Sequence, residues 1–277
     1  MKLAWATDIH LDTVGNLEQK ISELSTASAE AEAVLLTGDI SVAPLLVDHL
    51  RALENELQKP IYFVLGNHDY YFSDVMTVRR KIVEVCRSMS FARYLASIVY
   101  FKIKDGVALI GHDGWYDALN GDAYNSEVVM NDWLKINDFS SAIRTSFAGK
   151  SLDRSAIISV SRAICHASVS HIANGIKTAV RDKNNHIVVM THVPPFKESY
   201  NSDKHRGLNV SSALPWYTSK TMGDMLLSAA KAYPHIKFTV LSGHSHSRYD
   251  EYLLNNLNVR VGKSAYGSPQ IADFIDI

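Results

Sequence analysis

Residues 61–69 are IYFVLGNHD, an apolar run of five residues followed by a glycine and three polar side chains. The run is rich in β-branched and aromatic residues and has the length of a buried strand. Asn67, His68 and Asp69 come at the point where such a strand would end. In open α/β sheets the functional side chains gather at the carboxyl ends of the strands. The stretch therefore predicts a strand that delivers polar groups to a site at the edge of a sheet.

The same pattern recurs four more times along the chain. The further apolar runs occupy residues 3–6, 33–36, 187–190 and 238–241. The polar clusters that follow them are Asp8-Ile9-His10, Gly38-Asp39, Thr191-His192 and Gly243-His244-Ser245-His246. Each cluster alone has an ordinary explanation as a turn, a helix cap or a strand end. Together they supply carboxylate, amide and imidazole donors, a mixed set suited to Mn, Fe or Zn. The hypothesis is one metal site that holds two ions.

Within two of these clusters the spacing suggests a local geometry. Asp8 and His10 are two residues apart, so in a regular strand both side chains would lie on one face. His244 and His246 have the same spacing in a segment that we expect to be extended.

The chain contains seven histidines to which we assign no role in the site: His49, His112, His166, His171, His186, His205 and His235.

The first third of the chain alternates predicted strands and helices. Strands are expected at about 2–7, 33–37 and 60–65, and helices at about 16–30, 43–57 and 73–89. This alternation with short links predicts β-α-β units and a parallel sheet. Asp105-Gly106 is a turn signal that should join residues 98–103 and 107–111 into a hairpin. A long helix is expected at about 153–181, because its apolar residues recur at helical spacing.

Two segments lack a clear period: an irregular excursion with some helix at about 113–150, and a long loop at about 193–221. No linker is visible, so residues 1–277 are expected to form a single domain. Long loops in compact domains are often functional. Trp115 and Tyr116 could stack on a nucleotide base, and Arg206 could meet a phosphate. The alternatives are that the aromatic pair packs in the core and that Arg206 belongs to a solvated run of charges.

The formal net charge of −1 gives the chain no general attraction for nucleic acid or anionic membranes, although net charge says nothing about how the charges are distributed over the surface. Cys86 and Cys165 are far apart in the sequence, so two free thiols are expected rather than a disulfide. We see no signal peptide and no apolar run close to the ~20 residues that span a bilayer. We therefore expect a soluble, cytoplasmic protein without a membrane partner. The oligomeric state stays open.

The five clusters, in their order along the chain, resemble the motifs of the calcineurin-like metallophosphoesterase family. The similarity rests on D-x-H at Asp8 and His10, G-D at Asp39, G-N-H-D at 66–69, the isolated His192, and G-H-x-H at 243–246. It implies an α/β fold: a β-sandwich of two mixed sheets flanked by helices, in four α/β/β/α layers. It also implies two divalent or trivalent metal ions (Mn, Fe or Zn) at the edge of the sheets.

The resemblance assigns roles to individual residues. The first ion would be held by Asp8, His10, Asp39 and His246, and the second by Asp39, Asn67, His192 and His244. His68 would contact the scissile phosphate and act as the general acid, with Asp69 as its orienting partner. One position departs from the family pattern: many members have a second acid where this chain has Val42, so no carboxylate from that position can support the metal ligands here.

This assignment predicts hydrolysis of a phosphoester. Two ions about 3.5–4 Å apart can bridge a water and lower its pKa toward ~7, so that hydroxide attacks the phosphorus. His68 would then protonate the leaving oxygen. The first expectation for the substrate is a nucleotide or another small phosphodiester. A phosphomonoesterase, including a protein phosphatase, is the alternative enzyme, and a non-catalytic scaffold of the same fold is the alternative from a different class. Nucleic acid is a weaker candidate because of the near-zero charge.

Overall fold

The computed structural model describes residues 1–146, 153–200 and 209–277, and its architecture is two facing mixed sheets with helices outside them. The strands of the first sheet, in spatial order, are β11 (Asp273–Asp276), β1 (Lys2–Ala6), β2 (Ala33–Thr37), β3 (Ile61–Val64) and β4 (Ala92–Tyr94). The strands β1 to β4 run parallel, and only β11 is antiparallel to its neighbour. The β-α-β prediction for the first third of the chain is confirmed.

The second sheet has six strands. In spatial order they are β5 (Phe101–Lys104), β6 (Val107–Gly111), β7 (His186–Met190), β8 (Lys237–Ser242), β10 (Leu257–Val261) and β9 (Tyr249–Leu254). Its four central strands are parallel, and β5 and β9 pair antiparallel at the two edges. The predicted hairpin at Asp105-Gly106 joins β5 to β6, and Gly106 supplies the left-handed φ of 74° that this turn requires.

Eight helices accompany the strands in the described ranges. They are α1 (Leu17–Ala27), α2 (Leu46–Leu57), α3 (Val75–Cys86), α4 (Asp132–Lys135), α5 (Asn137–Ser146), α6 (Arg154–Arg181), α7 (Val210–Tyr217) and α8 (Lys220–Ala232). The predicted loop at 193–221 is wrong in part, because α7 forms inside it and α8 begins at Lys220. Pro215 lies within α7, so a residue read as a loop signal is accommodated in a short helix.

Alternating side chains of the strands explain why the layers form. Leu35, Val64 and Val188 belong to the cluster between the two sheets, whereas their neighbours Val34 and Val189 belong to the clusters on the outer faces. Because successive residues of a strand point to opposite faces, strands covered on both sides are apolar throughout. The helices α1, α2 and α3 contribute to the outer cluster of the first sheet, and α6 and α8 to that of the second. The four-layer α/β/β/α prediction is confirmed.

Helix α6 bears on the expectation that no segment crosses a membrane. Among the described residues it is the one helix that is long and apolar enough to span a bilayer by length and composition alone. This is weak evidence, since the core helix of a soluble protein meets the same test, and Ile172 and Ile176 of α6 are buried against the second sheet.

Both cysteines are free, as predicted, with Cys165 buried and Cys86 partly so.

Candidate metal and catalytic site

The five predicted clusters meet at one edge of the sandwich. Asp8 and His10 follow β1, Asp39 follows β2, and Asn67 and His68 follow β3. His192 follows β7 of the second sheet, and His244 and His246 follow β8. Thr37 O accepts a hydrogen bond from His192 Nδ1, so the ends of β2 and β7 are joined directly across the two sheets. The parallel strands place all these side chains at the same edge, as expected.

The local backbone differs from the prediction at both D-x-H and H-x-H. Asp8 and His10 have φ of 49° and 41°, and His244 and His246 have φ of 65° and 52°. These are left-handed conformations, which residues other than glycine adopt rarely and at a cost. The shared face of a regular strand is therefore not what brings each pair together. The chain coils at each strand end, and Asp39, with φ of 51°, does the same.

Two motif glycines allow the clusters to approach this closely. A Cβ on Gly66 would collide with the carboxylate and the backbone nitrogen of Asp39. A Cβ on Gly243 would collide with Thr7 and with the carboxylate of Asp8. The glycines therefore matter because backbone of one cluster lies directly against a ligand side chain of another.

The first donor group consists of Asp8, His10, Asp39 and His246. One ligand atom from each lies within 4.8 Å of the others. His246 Nε2 is 3.2 Å from both Asp8 Oδ1 and His10 Nε2, and His10 Nε2 is 3.8 Å from Asp39 Oδ2. Carboxylate oxygens and imidazole nitrogens thus face one another around a common centre, as ligands of a transition metal do.

The second donor group consists of Asp39, Asn67, His192 and His244. Asn67 Oδ1 is 3.0 Å from His192 Nε2 and 2.9 Å from His244 Nδ1. His192 Nε2 is in turn 3.4 Å from Asp39 Oδ1. The two oxygens of Asp39 therefore face different groups, Oδ1 the second and Oδ2 the first. A carboxylate in this position can bridge two cations.

Backbone carbonyls select which imidazole nitrogen faces the second group. His192 Nδ1 lies 2.8 Å from Thr37 O, and His244 Nε2 lies 3.0 Å from Trp216 O. A carbonyl can only accept, so these nitrogens carry protons and donate. Such bonds behind a ligand fix both the tautomer and the orientation of the ring.

The charges at the site favour a cation. Burial opposes the ionisation of both carboxyls, but the His246 hydrogen bond lowers the pKa of Asp8 to about 2, and His192 and His68 hold the pKa of Asp39 well below its usual range. Burial lowers the pKa of His10 and of His244 to about 4, so both are neutral imidazoles at pH 7. Despite its burial, His192 has its pKa raised to about 10 by Asp39 and Asp8. Two buried carboxylates surrounded by imidazoles fit metal ions well.

His68 lies at the open side of this site, but Asp69 does not orient it. The His68 side chain is 16% exposed, its backbone N–H donates to Asp39 Oδ1, and its Nε2 is 3.9 Å from Asp39 Oδ2. Asp69 instead accepts from the backbone N–H groups of Ile40, Ser41 and Gly66. The predicted partnership is therefore wrong, because the buried Asp69 carboxylate satisfies otherwise unpaired backbone donors. Through these hydrogen bonds Asp69 links the segment that follows β2 to the segment that follows β3.

Two residues near the ligands carried no sequence signal. The Tyr266 hydroxyl is 3.4 Å from His68 Nε2, and the Tyr266 ring is 4.3 Å from the ring of His10. Asp132 accepts a hydrogen bond from Asn67 Nδ2. Neither residue belongs to a recognisable motif, and both are distant in sequence from the clusters that they contact.

The candidate substrate contacts are not supported. Trp115 and Tyr116 are 1% and 0% exposed and belong to the hydrophobic core, so they offer no face to a base. The core alternative stated above is therefore the correct one. Arg206 lies outside the described residues. Val42 occupies the position of the missing acid and packs against the core.

Comparison with known proteins agrees with this geometry. A family model described as calcineurin-like phosphoesterase matches residues 1–248. The structure is similar to phosphopantetheinyl hydrolase from Mycobacterium tuberculosis, with a TM-score of 0.64 and 13% identity over 96% of this chain and 90% of that one. It is also similar to a dimetal phosphatase from Danio rerio, with a TM-score of 0.58 and 11% identity over 96% and 88%. No curated protein matches the chain by sequence.

The family match covers most of the chain, and we conclude that this protein belongs to the calcineurin-like phosphoesterase family. It is accordingly a metal-dependent phosphoesterase. At these low identities the structural relatives show the shared fold and carry no information on the substrate.

Proposed function

We propose that this protein hydrolyses a small phosphodiester, such as a nucleotide derivative, with two metal ions and with His68 as the general acid. The first ion is held by the first donor group and the second ion by the second donor group. Manganese, iron or zinc suits both groups, because each mixes carboxylate or amide oxygens with imidazole nitrogens. When bound, such ions lower the pKa of water and neutralise phosphate oxygens.

The observation that carries the proposal is the shared position of Asp39. Its Oδ1 belongs to the second donor group and its Oδ2 to the first, and the carboxylate is 1% exposed. A buried carboxylate needs positive charge beside it, and metal ions in the two donor groups would supply that charge in place of the proton that His192 otherwise carries. Two adjacent cation sites bridged by one carboxylate are the arrangement used for displacement at phosphorus.

The surroundings of His68 support its role as the proton donor. Its Nε2 lies 3.4 Å from the hydroxyl of the exposed Tyr266 and 3.9 Å from the buried Asp39 Oδ2, which is beyond hydrogen-bond distance. The ring lies 4.3 Å from the ring of Tyr71, which limits its movement. A partly exposed imidazole beside the shared carboxylate can reach the leaving oxygen of a substrate that approaches from solvent.

The hydroxyl-bearing neighbours of His68 favour a diester over a monoester. Desolvation and the nearby Asp39 and Asp8 carboxylates raise the pKa of Tyr266, and burial raises the pKa of Tyr71, so both phenols are neutral at pH 7. A phosphomonoester carries between one and two negative charges at this pH. A diester carries only one negative charge, so it needs less positive charge from side chains in addition to the metal ions. Neutral hydroxyl donors such as these two tyrosines therefore suit a diester.

The test is turnover of bis-p-nitrophenyl phosphate and p-nitrophenyl phosphate by protein that has been stripped of metal and then reloaded with Mn²⁺, Fe²⁺ or Zn²⁺. We expect metal-dependent activity with the diester preferred. On a nucleotide diester, whose alcohol leaving group must be protonated as it departs, His68→Gln should lower kcat by about 10²- to 10⁴-fold. His235→Gln on the surface is the matched control.

Other outcomes would favour other functions. A clear preference for the monoester would favour a phosphomonoesterase or protein phosphatase of the same family. Stoichiometric metal with no turnover of any phosphoester across a broad panel would contradict the proposal. A chain that holds no metal by elemental analysis would favour the non-catalytic scaffold.

A further inference from the structure

The amide of Asn67 has to point in one particular direction for the second donor group to exist. Its Oδ1 lies 3.0 Å from His192 Nε2 and 2.9 Å from His244 Nδ1, so the oxygen faces the group and the nitrogen faces away. A rotation of the amide by half a turn would present the NH2 group instead, and its nitrogen cannot bind a cation because the lone pair is delocalised into the amide. What holds the amide therefore decides whether Asn67 is a ligand.

The group behind the Asn67 amide is the carboxylate of Asp132. Asn67 Nδ2 donates to Asp132 Oδ1 at 2.8 Å, and a carboxylate accepts only. Tyr71 donates its hydroxyl to the same oxygen at 2.9 Å, and Tyr116 donates to Oδ2 at 3.0 Å. Asp132 is 0% exposed, so these three donors replace its solvent. Both oxygens are held, and the position of the acceptor is fixed.

We propose that Asp132 is a positioning residue that holds the Asn67 oxygen toward the second metal ion. The inference rests on the proposed function only in requiring that an ion binds at the second donor group. Groups behind a metal ligand orient it, and their loss commonly costs 10- to 100-fold in metal affinity. Asp132 is the first residue of α4 and belongs to the 113–150 excursion, so this excursion supports the metal site.

The packing around Asp132 agrees with this role. Trp133, the next residue, donates from Nε1 to the Tyr116 hydroxyl at 3.1 Å and packs edge-on against Trp216 at 4.9 Å between ring centroids. Trp216 O is the acceptor that holds His244. The same aromatic cluster therefore fixes both Asn67 and His244 from behind. Trp115 and Tyr116 extend this cluster, which explains why these aromatic residues are buried.

The experiment is calorimetric titration of the metal-free full-length chain with Mn²⁺, which resolves the affinities of the two ions. For Asp132→Ala we expect one affinity to fall by about 10- to 100-fold and the other to change little. Asp132→Asn should stay within about fivefold of wild type, because its amide oxygen can still accept from Asn67. In an Asn67→Ala background, Asp132→Ala should have no further effect on metal affinity, since the two residues act through one bond.

Asp138→Ala is the matched control within the excursion. Asp138 accepts from the backbone N–H of Val75 and has no bond to the donor groups in the described residues, so its loss should lower the melting temperature without changing either affinity. Two tight ions in Asp132→Ala would overturn the inference, as would equal weakening in Asp132→Asn and Asp132→Ala. If the wild-type chain binds no Mn²⁺, Zn²⁺ or Fe²⁺, the proposed function itself fails, which is a separate result.

Discussion

The two donor groups share Asp39 but differ in how their other members are held. In the second group His192 donates to Thr37 O, His244 donates to Trp216 O, and Asn67 donates to Asp132. In the first group His10 Nδ1 is buried and has no hydrogen-bond partner among the described residues, and the His246 side chain is 18% exposed. The second group is therefore preorganised for an ion. In the first group Asp8 accepts from Thr7 Oγ1 and His244 N, but His10 lacks a bond behind its ring and the group opens toward solvent at His246.

This difference suggests a division of labour. A preorganised and buried group loses little conformational freedom when it binds an ion, so it should bind more tightly. The open group lies beside His68 and Tyr266, where a substrate can reach it. The second group should accordingly hold a tightly bound ion, and the first group should hold an ion that exchanges readily with solvent.

The largest effect should come from Asp39, because it is the one residue common to both groups. In Asp39→Ala we expect both metal affinities to collapse and kcat/KM to fall by on the order of 10³-fold or more, about 4 kcal/mol. Elemental analysis and turnover of bis-p-nitrophenyl phosphate provide the measurements. Asp48→Ala, an exposed acid on α2, should retain both ions. Retention of one tight ion in Asp39→Ala would mean that the groups are independent.

A comparison of His192→Ala with His246→Ala should separate the groups. His246→Ala is expected to keep one tightly bound ion, because the second donor group remains complete. His192→Ala should leave only an ion that a chelator removes quickly, with an affinity lower by about 100-fold. The rate of Mn²⁺ loss to excess chelator distinguishes the two variants. Equal behaviour of both variants would contradict the proposed difference in preorganisation.

The sequence revealed the metal-donor residues but not the contacts and backbone conformations that hold them in place. Asp8, Asn67 and His246 could be found because ligand residue types recur directly after apolar runs, and the order of strands in the sheet then brings them together. Their left-handed backbone could not be foreseen, since residues other than glycine adopt it only when the surrounding structure compels them. Asp132 and Tyr266 lie in no motif, because contacts between distant parts of the chain leave no local pattern.

For Asp69 the sequence suggested a contact that the structure does not contain. Its place directly after His68 suggested an imidazole partner, but neighbours in sequence project in different directions, and the nearby N–H groups of Ile40 and Gly66 needed an acceptor. The fold itself was more accessible than these details. Strand alternation and family resemblance gave both sheets, whereas α7 was missed because its length of 8 residues and Pro215 resemble a loop.

The backbone that supports the second group depends on Asp113. Its Oδ1 accepts from Leu65 N, its Oδ2 accepts from Arg79, Tyr70 and Tyr94, and its carbonyl accepts from His192 N. Asp113→Asn should destabilise the fold by about 3 kcal/mol, since it removes the charged partner of the partly buried Arg79 and leaves Tyr70 and Tyr94 to share one remaining acceptor oxygen. Urea unfolding measures this loss. Asp105→Asn, at the exposed hairpin turn, should change stability by less than about 0.5 kcal/mol.

A fall in pH should also lower the stability of the fold, because His112 is buried in its neutral form. Burial lowers the pKa of His112 to about 3, against a reference of about 6.5, although Asp113 opposes the shift. The unfolded chain therefore takes up a proton first as the pH falls. The stability contributed by neutral His112 is complete above about pH 6.5 and is lost progressively toward pH 3, by roughly 2 kcal/mol between pH 7 and pH 5. Urea unfolding of His112→Gln should show a flatter profile over this interval, and an identical slope would contradict the assignment.

The smallest expected effect tests the open side of the first group. Tyr266 brings its hydroxyl to 3.4 Å from His68 Nε2 while its ring covers His10, and the residue is 56% exposed. In Tyr266→Phe the ring remains, so both ions should be retained, whereas the loss of a hydrogen bond near the transferred proton should lower kcat by about tenfold. Tyr252→Phe, an exposed tyrosine on β9, is the matched control. An unchanged kcat with a raised KM would instead mean that Tyr266 only binds the substrate, and no change in either would remove it from the site.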